Sequence, residues 1–195
     1  MRIRPDVELA NKSDVGCVRE QNEDYFLYFE PEDELEFSQR GRLMVVSDGM
    51  GGRNGGEVAS SLAAESIREV FLAAGPFDPR QVLIEGFQLA HQAILERGMR
   101  EPALAGMGTT CCAAIFRDGH MYYGHVGDSR IYLIRDHHAE QLTEDHSLVA
   151  SMVRNGLLTA EQAQHHAQRN VITQALGVDS ESLSGDFPSP PLQLA

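Results

Sequence analysis

Long apolar stretches are missing from this 195-residue sequence, and none approaches the roughly 20 residues that a membrane-spanning helix requires. The N-terminal segment carries Arg2, Arg4, Asp6 and Glu8 and has no apolar core like that of a secretion signal. We therefore expect a cytoplasmic protein that has no membrane partner.

Cysteine is also scarce, since the sequence contains only Cys17, Cys111 and Cys112. Their number is odd, two of them are adjacent, and no C-x-x-C spacing of the kind found in zinc sites occurs. These observations argue against both a disulfide framework and a structural zinc site.

Basic residues are few: the sequence contains 16 Lys and Arg but 29 Asp and Glu, so the net charge is −13. Such a chain repels the phosphate backbone of nucleic acid, so we expect no nucleic-acid partner. The excess of carboxylates suits divalent cations, although it also serves solubility. With 42% hydrophobic and 23% charged residues, the composition is that of a globular protein, and the length predicts a single domain over residues 1–195.

Apolar periodicity predicts strands first, then two long helices, then more strands and finally short helices. The predicted strands cover residues 7–14, 23–29, 43–47, 109–116, 121–126 and 130–134. The predicted long helices cover residues 56–74 and a segment that follows an Asp78 cap, and helix is expected again past residue 144. We expect a loop over residues 31–41, a hairpin turn at Asp118-Gly119 and no regular structure in residues 184–195. Because strands do not alternate with helices, the order favours an α+β fold with an antiparallel sheet and helices packed outside it.

The strongest functional signal is the run Ser47-Asp48-Gly49-Met50-Gly51-Gly52, which places an acidic residue and several glycines at the end of a buried strand. Glycines at such a position let the backbone approach a ligand closely. A dinucleotide motif would need glycine in place of Asn54, and a P-loop would need lysine in place of Glu57, so both nucleotide sites are excluded. Taken alone, the run could also be a tight turn with a capping aspartate.

Two further segments place charged residues beside predicted strands. Arg19 precedes Glu23 and Asp24, and Asp128 follows a strand and a glycine. A guanidinium group binds phosphate through two parallel hydrogen bonds, and carboxylates at strand ends can form a site for a hard cation. Arg19 could instead form a surface ion pair with Glu20 or Glu23.

These segments belong to a series of motifs that occur in a fixed order. The motifs are S-D-x-G-x-x-R-x-x-N-E-D (13–24), S-D-G-M-G-G (47–52), G-T-T (108–110), H-V-G-D-S-R (125–130), L-T-x-D-H-S (142–147) and N-V-I-T-Q-A-L-G (170–177). With them, the chain resembles the bacterial type of metal-dependent, 2C-like protein serine/threonine phosphatases from about Val7 to Gly177. The resemblance implies an α-β-β-α sandwich of two antiparallel sheets flanked by helices. It also implies hydrolysis of phosphoserine and phosphothreonine in proteins by a metal-activated water, with phosphorylated proteins as substrates, an opposing serine/threonine kinase and a monomeric enzyme.

The same resemblance assigns roles to individual residues. Asp48 is expected to bridge two Mg²⁺ or Mn²⁺ ions, and the carbonyl of Gly49 to bind the second. Glu23 and Asp24 are expected to act near the metals, partly through bound water. Arg19 is expected to bind the substrate phosphate, and Asp128 to hold a third, weaker ion. Residues 146–170 are expected to form a flap beside the active site.

The chain departs from the family pattern in two ways. Met50 stands where eukaryotic members often have histidine, so no general acid is assigned; His125 and His146 are candidates by position, but structural roles are expected for both. Two metal-binding motifs that the family carries later in the chain, a second S-D-G and an Asp-Asn, do not occur. The only aspartates after Gly177 are Asp179 and Asp186. The chain is therefore expected to lack C-terminal elements of the fold, to bind metal weakly and to show little or no phosphatase activity. A non-catalytic phospho-binding or regulatory domain is the alternative function.

Overall fold

The computed structural model describes residues 3–17, 21–51, 55–73, 75, 78–178 and 183–194. The strands in these ranges are β1 (Asp24–Phe29), β2 (Arg42–Met50), β3 (Gly108–Thr109), β4 (Cys111–Arg117), β5 (His120–Val126), β6 (Tyr132–Arg135), β7 (His138–Gln141) and β8 (Leu192–Gln193). The helices are α1 (Glu34–Arg40), α2 (Gly55–Ala73), α3 (Pro79–Arg100), α4 (Leu148–Arg154) and α5 (Ala160–Gln164), with a 3-10 turn at Pro102–Leu104.

The main sheet has the order β1-β2-β4-β5-β8, with β3 paired to the end of β2, and every pairing is antiparallel. Strands β6 and β7 form a separate antiparallel hairpin. The expected turn between β4 and β5 is confirmed, because Asp118 and Gly119 have φ values of 52° and 71°, which a tight hairpin turn requires. Antiparallel sheets accompanied by helices confirm the predicted α+β class.

Helices α2 and α3 cover one face of the main sheet and form the hydrophobic core with it. Residues of β2 alternate between this face and the opposite one, as a strand with one buried face must. The core includes apolar side chains from the sheet (Leu43, Val45, Cys111, Ala113, Ile115), from α2 (Ala59, Ala63, Ile67, Phe71) and from α3 (Leu83, Phe87, Ala90, Ile94). The opposite, open face of β2 carries Met44, Val46 and Asp48, and Val46 is 46% exposed. The alternation therefore places Asp48 on the open face.

Most predicted elements are confirmed to within a few residues, but two predictions were wrong. Residues 7–14, predicted as a strand, form no ladder with another described strand; residues 7–10 alternate between half-buried and exposed, and residues 11–14 are all exposed. Residues 31–41 contain helix α1, whose N-cap Asp33 accepts the N–H of Glu36 at 2.9 Å. None of the α1 residues is buried, so the helix lacks the apolar period on which the sequence analysis relied.

The later strands also differ in detail from the prediction. The predicted strand at residues 130–134 begins later, at Tyr132, and pairs with β7, which the sequence analysis did not predict. Asp136 and His137 form the turn between them, with φ values of 49° and 62°. Strand β8 pairs with the start of β5, so the C-terminal segment is not wholly irregular. Among the described residues, every helix is too short or too polar to cross a membrane.

Candidate metal centre and active site

Asp48 lies near the end of β2, directly opposite Asp24 at the start of β1. Residues that face each other in antiparallel strands point to the same side of the sheet, with Cβ atoms about 4.5–5.5 Å apart. Both residues are exposed. The register therefore brings two carboxylates together at one end of the open face.

The carboxylate of Glu23 lies against the first turn of α2. A Cβ atom on Gly56 would lie 2.5 Å from Glu23 Oε1, and one on Gly49 would lie 2.0 Å from the carbonyl oxygen of Gly56. Gly49 also donates its N–H to the carbonyl of Glu23 at 3.1 Å. Glycine at both positions lets β2, Glu23 and the positive end of α2 approach one another closely. The same packing brings the Glu23 carboxylate and the Gly49 backbone next to Asp48.

Hydrogen bonds from neighbouring side chains hold Asp24. Ser13 donates its hydroxyl hydrogen to Asp24 Oδ2 at 2.7 Å, and Asn22 donates from Nδ2 to Ser13 Oγ at 2.7 Å. The carbonyl oxygen of the Asn22 side chain accepts the N–H of Asp24 at 3.0 Å. Ser13 and Asn22 thus fix the carboxylate that faces Asp48.

Asp128 lies in the turn after β5, and its neighbour Ser129 is joined to Asp48 through a single threonine. Ser129 Oγ lies 2.6 Å from Thr110 Oγ1, and Thr110 Oγ1 accepts the N–H of Asp48 at 3.1 Å. Asp128 is half-buried, and this burial raises the pKa of its carboxyl group, with a further rise caused by the nearby Asp145 carboxylate.

The donors at this end of the sheet fit Mg²⁺ or Mn²⁺. Carboxylates and a backbone carbonyl are the hard oxygen ligands that such cations prefer. Two like charges that face each other across a strand pair destabilise the sheet, and a divalent cation between them would offset that repulsion. The residues that would hold ions here are Asp24, Asp48, Glu23 and the carbonyl of Gly49, with Asp128 beside them. Arg19, the expected phosphate-binding residue, lies outside the described residues, as does Asp179.

A second cluster combines His125, His146 and Asp186, whose potential ligand atoms lie within 4.8 Å of one another. His146 Nδ1 accepts the N–H of Gly127 at 3.2 Å, and His146 Nε2 lies 3.2 Å from Asp186 Oδ2. The ring hydrogen of neutral His146 therefore sits on Nε2, pointing at the carboxylate. A metal at Nε2 would move that hydrogen to Nδ1, against the N–H of Gly127. The two hydrogen bonds therefore support the structural role expected for His146.

His125 is fully buried beside this link, and its ring centre lies 4.7 Å from that of His146. Burial lowers the pKa of His125, and His146 lowers it further. A buried histidine that stays neutral at physiological pH suits packing better than proton delivery to an exposed site.

One cysteine, Cys111, has the Cys-x₅-Arg spacing of a cysteine nucleophile loop, but the structure excludes that role. Cys111 precedes Arg117 by six positions, but both residues lie on the extended strand β4. Burial raises the pKa of the Cys111 thiol to about 12, whereas a reactive cysteine needs a lowered one.

A cavity of about 540 Å³ separates the Asp128 turn from helices α4 and α5. Its walls carry both signs of charge, from Asp128, Asp145, Arg154 and Arg169 among others. Arg130 spans the rim and binds Asp145 through two hydrogen bonds of 2.7 Å and 2.6 Å. Residues 146–170, the expected flap, therefore border an open space that adjoins one of the candidate ligands.

Comparison with known proteins decides the family. Residues 20–179 match the protein phosphatase 2C family. The chain belongs to that family. It is 36% identical to the protein phosphatase PhpP of Streptococcus pneumoniae over 186 residues, which cover 93% of this chain and 72% of the relative. The crystal structure of the serine/threonine phosphatase Stp1 from Staphylococcus aureus is 33% identical and superimposes with a TM-score of 0.81, over 93% of this chain and 69% of that one.

Another solved relative, the catalytic domain of the serine/threonine protein phosphatase PstP, was determined in complex with two manganese ions. It is 31% identical, with a TM-score of 0.73, and the match covers 93% of this chain and 71% of that one. Membership of a family of metal-dependent protein serine/threonine phosphatases confirms the predicted fold and enzyme class. The non-catalytic alternative is not favoured, because the matched relatives carry the names of phosphatases.

Three hydroxyl residues at this site were missed by the sequence analysis: Ser13, Thr110 and Ser129. Each lies within a motif of the ordered series, and this position was the only signal that could have singled them out. Hydroxyl side chains are common in turns and at strand ends, so their types alone do not reveal which carboxylate or amide they bind.

Proposed function

We propose that this chain hydrolyses phosphoserine and phosphothreonine esters in proteins by means of a water activated by two Mg²⁺ or Mn²⁺ ions, with a third ion at Asp128. The observation that supports it best is the placement of Asp24 opposite Asp48, where two carboxylates share one face of the sheet. The Glu23 carboxylate and the Gly49 backbone beside them add oxygen donors of the same kind.

When bound, such ions lower the pKa of a coordinated water towards neutrality and so provide a nucleophile at physiological pH. The role of the protein is to hold them. Asp48 would hold ions jointly with Asp24, which faces it across the strand pair, and with Glu23, which directly precedes Asp24. Ser13 would keep Asp24 in one orientation, so the carboxylate need not be ordered at the moment of binding.

Arg19 is proposed to bind the phosphate of the substrate. It belongs to the segment that leads directly to Glu23 and Asp24. A guanidinium group there would offset charge on the phosphoryl oxygens, because its planar donors match two of them at once.

The partners proposed are phosphorylated proteins and the serine/threonine kinase that produces them. We propose that the enzyme acts as a monomer in the cytoplasm, a compartment that suits the free thiols Cys17, Cys111 and Cys112.

The test is turnover of a phosphoserine or phosphothreonine peptide by the purified 195-residue chain, with Mn²⁺ titrated to high concentration because few carboxylates hold it. We expect weak activity that depends on Mn²⁺ and stops with EDTA, and Asp48→Asn should remove nearly all of it. Asp118→Asn, in the exposed turn between β4 and β5, is the matched control and should keep full activity. Turnover that survives complete chelation would refute the mechanism.

The role of Arg19 has its own measurement. Loss of a charged hydrogen-bonding partner of phosphate costs about 1.5–3 kcal/mol, so Arg19→Ala should raise KM by roughly 10-fold or more. Arg100→Ala serves as the control, because Arg100 pairs with Glu96 on the surface of α3. An Arg19 variant with reduced kcat and an unchanged KM would contradict phosphate binding.

A further inference from the structure

Thr110 occupies the gap between β3 and β4 and is 1% exposed. Its backbone N–H donates to the carbonyl of Asp48 at 3.0 Å, and the hydroxyl oxygen of Thr109 lies 2.9 Å from the same carbonyl oxygen and 2.8 Å from that of Thr110. The side-chain oxygen of Thr110 accepts the Asp48 N–H at 3.1 Å. Both backbone polar groups of Asp48 are therefore bound by the threonine pair.

The Thr110 side chain replaces a backbone group in this arrangement. In a regular antiparallel ladder, the carbonyl of the opposite residue would accept the N–H of Asp48. Here the hydroxyl accepts it, and the strand assignment breaks at Thr110. The hydroxyl can also donate a hydrogen bond, which a backbone carbonyl cannot.

The second bond reaches the Asp128 turn. Thr110 Oγ1 lies 2.6 Å from Ser129 Oγ. The methyl side of Thr110 packs against Gly127, where an added Cβ atom would lie 2.6 Å from both Thr110 Cβ and Cγ2. Gly127 has a φ of 107°, which also favours glycine. Thr110 thus contacts the residues on both sides of Asp128 while it binds the backbone of Asp48.

We propose that Thr110 is a positioning residue that fixes the Asp128 turn relative to Asp48, so that ions held by the two carboxylates bind as a coupled set. This inference rests on the proposed function, since it takes Asp48 and Asp128 as ligands. The threonine supplies both parts of the link: its hydroxyl joins Asp48 to Ser129, and its methyl group supports Gly127.

The inference is tested by direct Mn²⁺ binding, measured by electron paramagnetic resonance without substrate, and by the rise in Tm that Mn²⁺ causes. Thr110→Val removes the hydroxyl at nearly constant volume, and it should weaken Mn²⁺ binding about 10-fold or more, the usual effect of losing a group that orients a metal ligand. Thr110→Ser keeps the hydroxyl and should restore most of the affinity.

Thr143→Val is the matched control. Thr143 is also buried, at 6% exposure, and its Oγ1 accepts the N–H of Ile131 at 3.1 Å. Loss of the buried Thr143 hydroxyl should lower Tm by the same amount in the presence and in the absence of Mn²⁺. A purely structural role for Thr110 would give this pattern too, and would overturn the inference.

Ser129→Ala tests the link even if Thr110→Val fails to fold, because Ser129 is only half-buried. It should also weaken Mn²⁺ binding, and its effect should nearly disappear when Thr110 is already Val. Unchanged Mn²⁺ affinity in Ser129→Ala, or additive effects in the double variant, would overturn the inference. A chain that binds Mn²⁺ without cleaving phosphopeptides would overturn the proposed function alone, whereas a chain that binds no Mn²⁺ would overturn both.

Discussion

Asp24 and Asp48 face each other across the first two strands of the sheet, with their side chains on the same, open face. Like charges in this position destabilise a strand pair by up to about 1 kcal/mol. A divalent cation would convert the repulsion into two favourable contacts.

Metal binding should consequently stabilise the folded chain. A ligand that binds only the folded state adds about 2.7 kcal/mol at 100 times its Kd. We expect Mn²⁺ to raise the Tm measured by calorimetry, and the rise to vanish in Asp48→Asn because one of the two facing ligands is gone.

Asp118→Asn provides the comparison, since the Asp118 side chain is 76% exposed in the turn between β4 and β5. It should show the same Mn²⁺-induced rise as the original chain. An undiminished rise in Asp48→Asn would place the metal elsewhere.

Ser13→Ala should weaken metal binding without removing a ligand. The Ser13 hydroxyl holds Asp24 Oδ2 at 2.7 Å, and without it the carboxylate can rotate away from Asp48. Groups that orient metal ligands typically contribute 10- to 100-fold to affinity, and because Ser13 is exposed we expect a loss of about 10-fold by calorimetric titration with Mn²⁺. Ser38→Ala, which removes an exposed hydroxyl bound to the carbonyl of Leu35, should leave the affinity unchanged.

The sequence predicted the central elements of the fold because their patterns are local. Strand β2 and helices α2 and α3 bury one regular face each, so periodicity alone located them to within a few residues. No residue of helix α1 is fully buried, and its single strong signal is the Asp33 cap. Residues 7–14 were predicted as a strand from their local sequence. A strand forms only where another strand is available to pair with it, and that depends on the whole fold.

The sequence predicted which residues could form the candidate site, but it did not predict the strand register and the hydrogen bonds that join them. The motifs singled out Glu23, Asp24, Asp48 and Asp128 as candidate ligands. The register that sets Asp24 opposite Asp48 depends on how β1 and β2 align, which no local pattern specifies. The link from Asp48 through Thr110 to Ser129 joins three separate strand ends, and it appears only when the strands are placed side by side.

Glu30 should make stability dependent on acid pH through a buried network away from the metal site. Burial raises the pKa of Glu30, but hydrogen bonds from Tyr28, Arg42 and the backbone of Arg4 outweigh it and hold the pKa below its ordinary value of 4.5. The unfolded chain therefore takes up the proton first, and the stabilisation is lost as pH falls from 4.5 through the pKa of the folded state.

Glu30→Gln should thus cost about 1.5–3 kcal/mol in urea unfolding at neutral pH, and this difference should shrink below pH 4.5. Glu34→Gln is the matched control: Glu34 binds Arg4 at 2.6 Å, but its side chain is 83% exposed. Exposed pairs contribute at most about 1 kcal/mol, so this variant should unfold almost like the original at every pH. A constant Glu30→Gln difference across the acid range would contradict the role of the Glu30 charge.

Gly56→Ala should reverse the usual effect of this substitution within a helix. Alanine normally stabilises a helix interior by about 1 kcal/mol relative to glycine. At Gly56, however, the new Cβ atom would lie 2.5 Å from Glu23 Oε1 and 2.9 Å from the backbone carbonyl carbon of Gly49, so the flexible carboxylate must move away and the backbone must shift as well. We expect a lower Tm in EDTA and a clear loss of Mn²⁺ affinity, measured by calorimetric titration. In the Glu23→Ala background, Gly56→Ala should cause a smaller further loss of Mn²⁺ affinity, because the displaced carboxylate is already absent. Gly49→Ala should be more destabilising, with or without metal, since its Cβ would lie 2.0 Å from the backbone oxygen of Gly56, which cannot swing aside. If Gly56→Ala binds Mn²⁺ as tightly as the original chain, then the Glu23 carboxylate does not contribute to the metal centre.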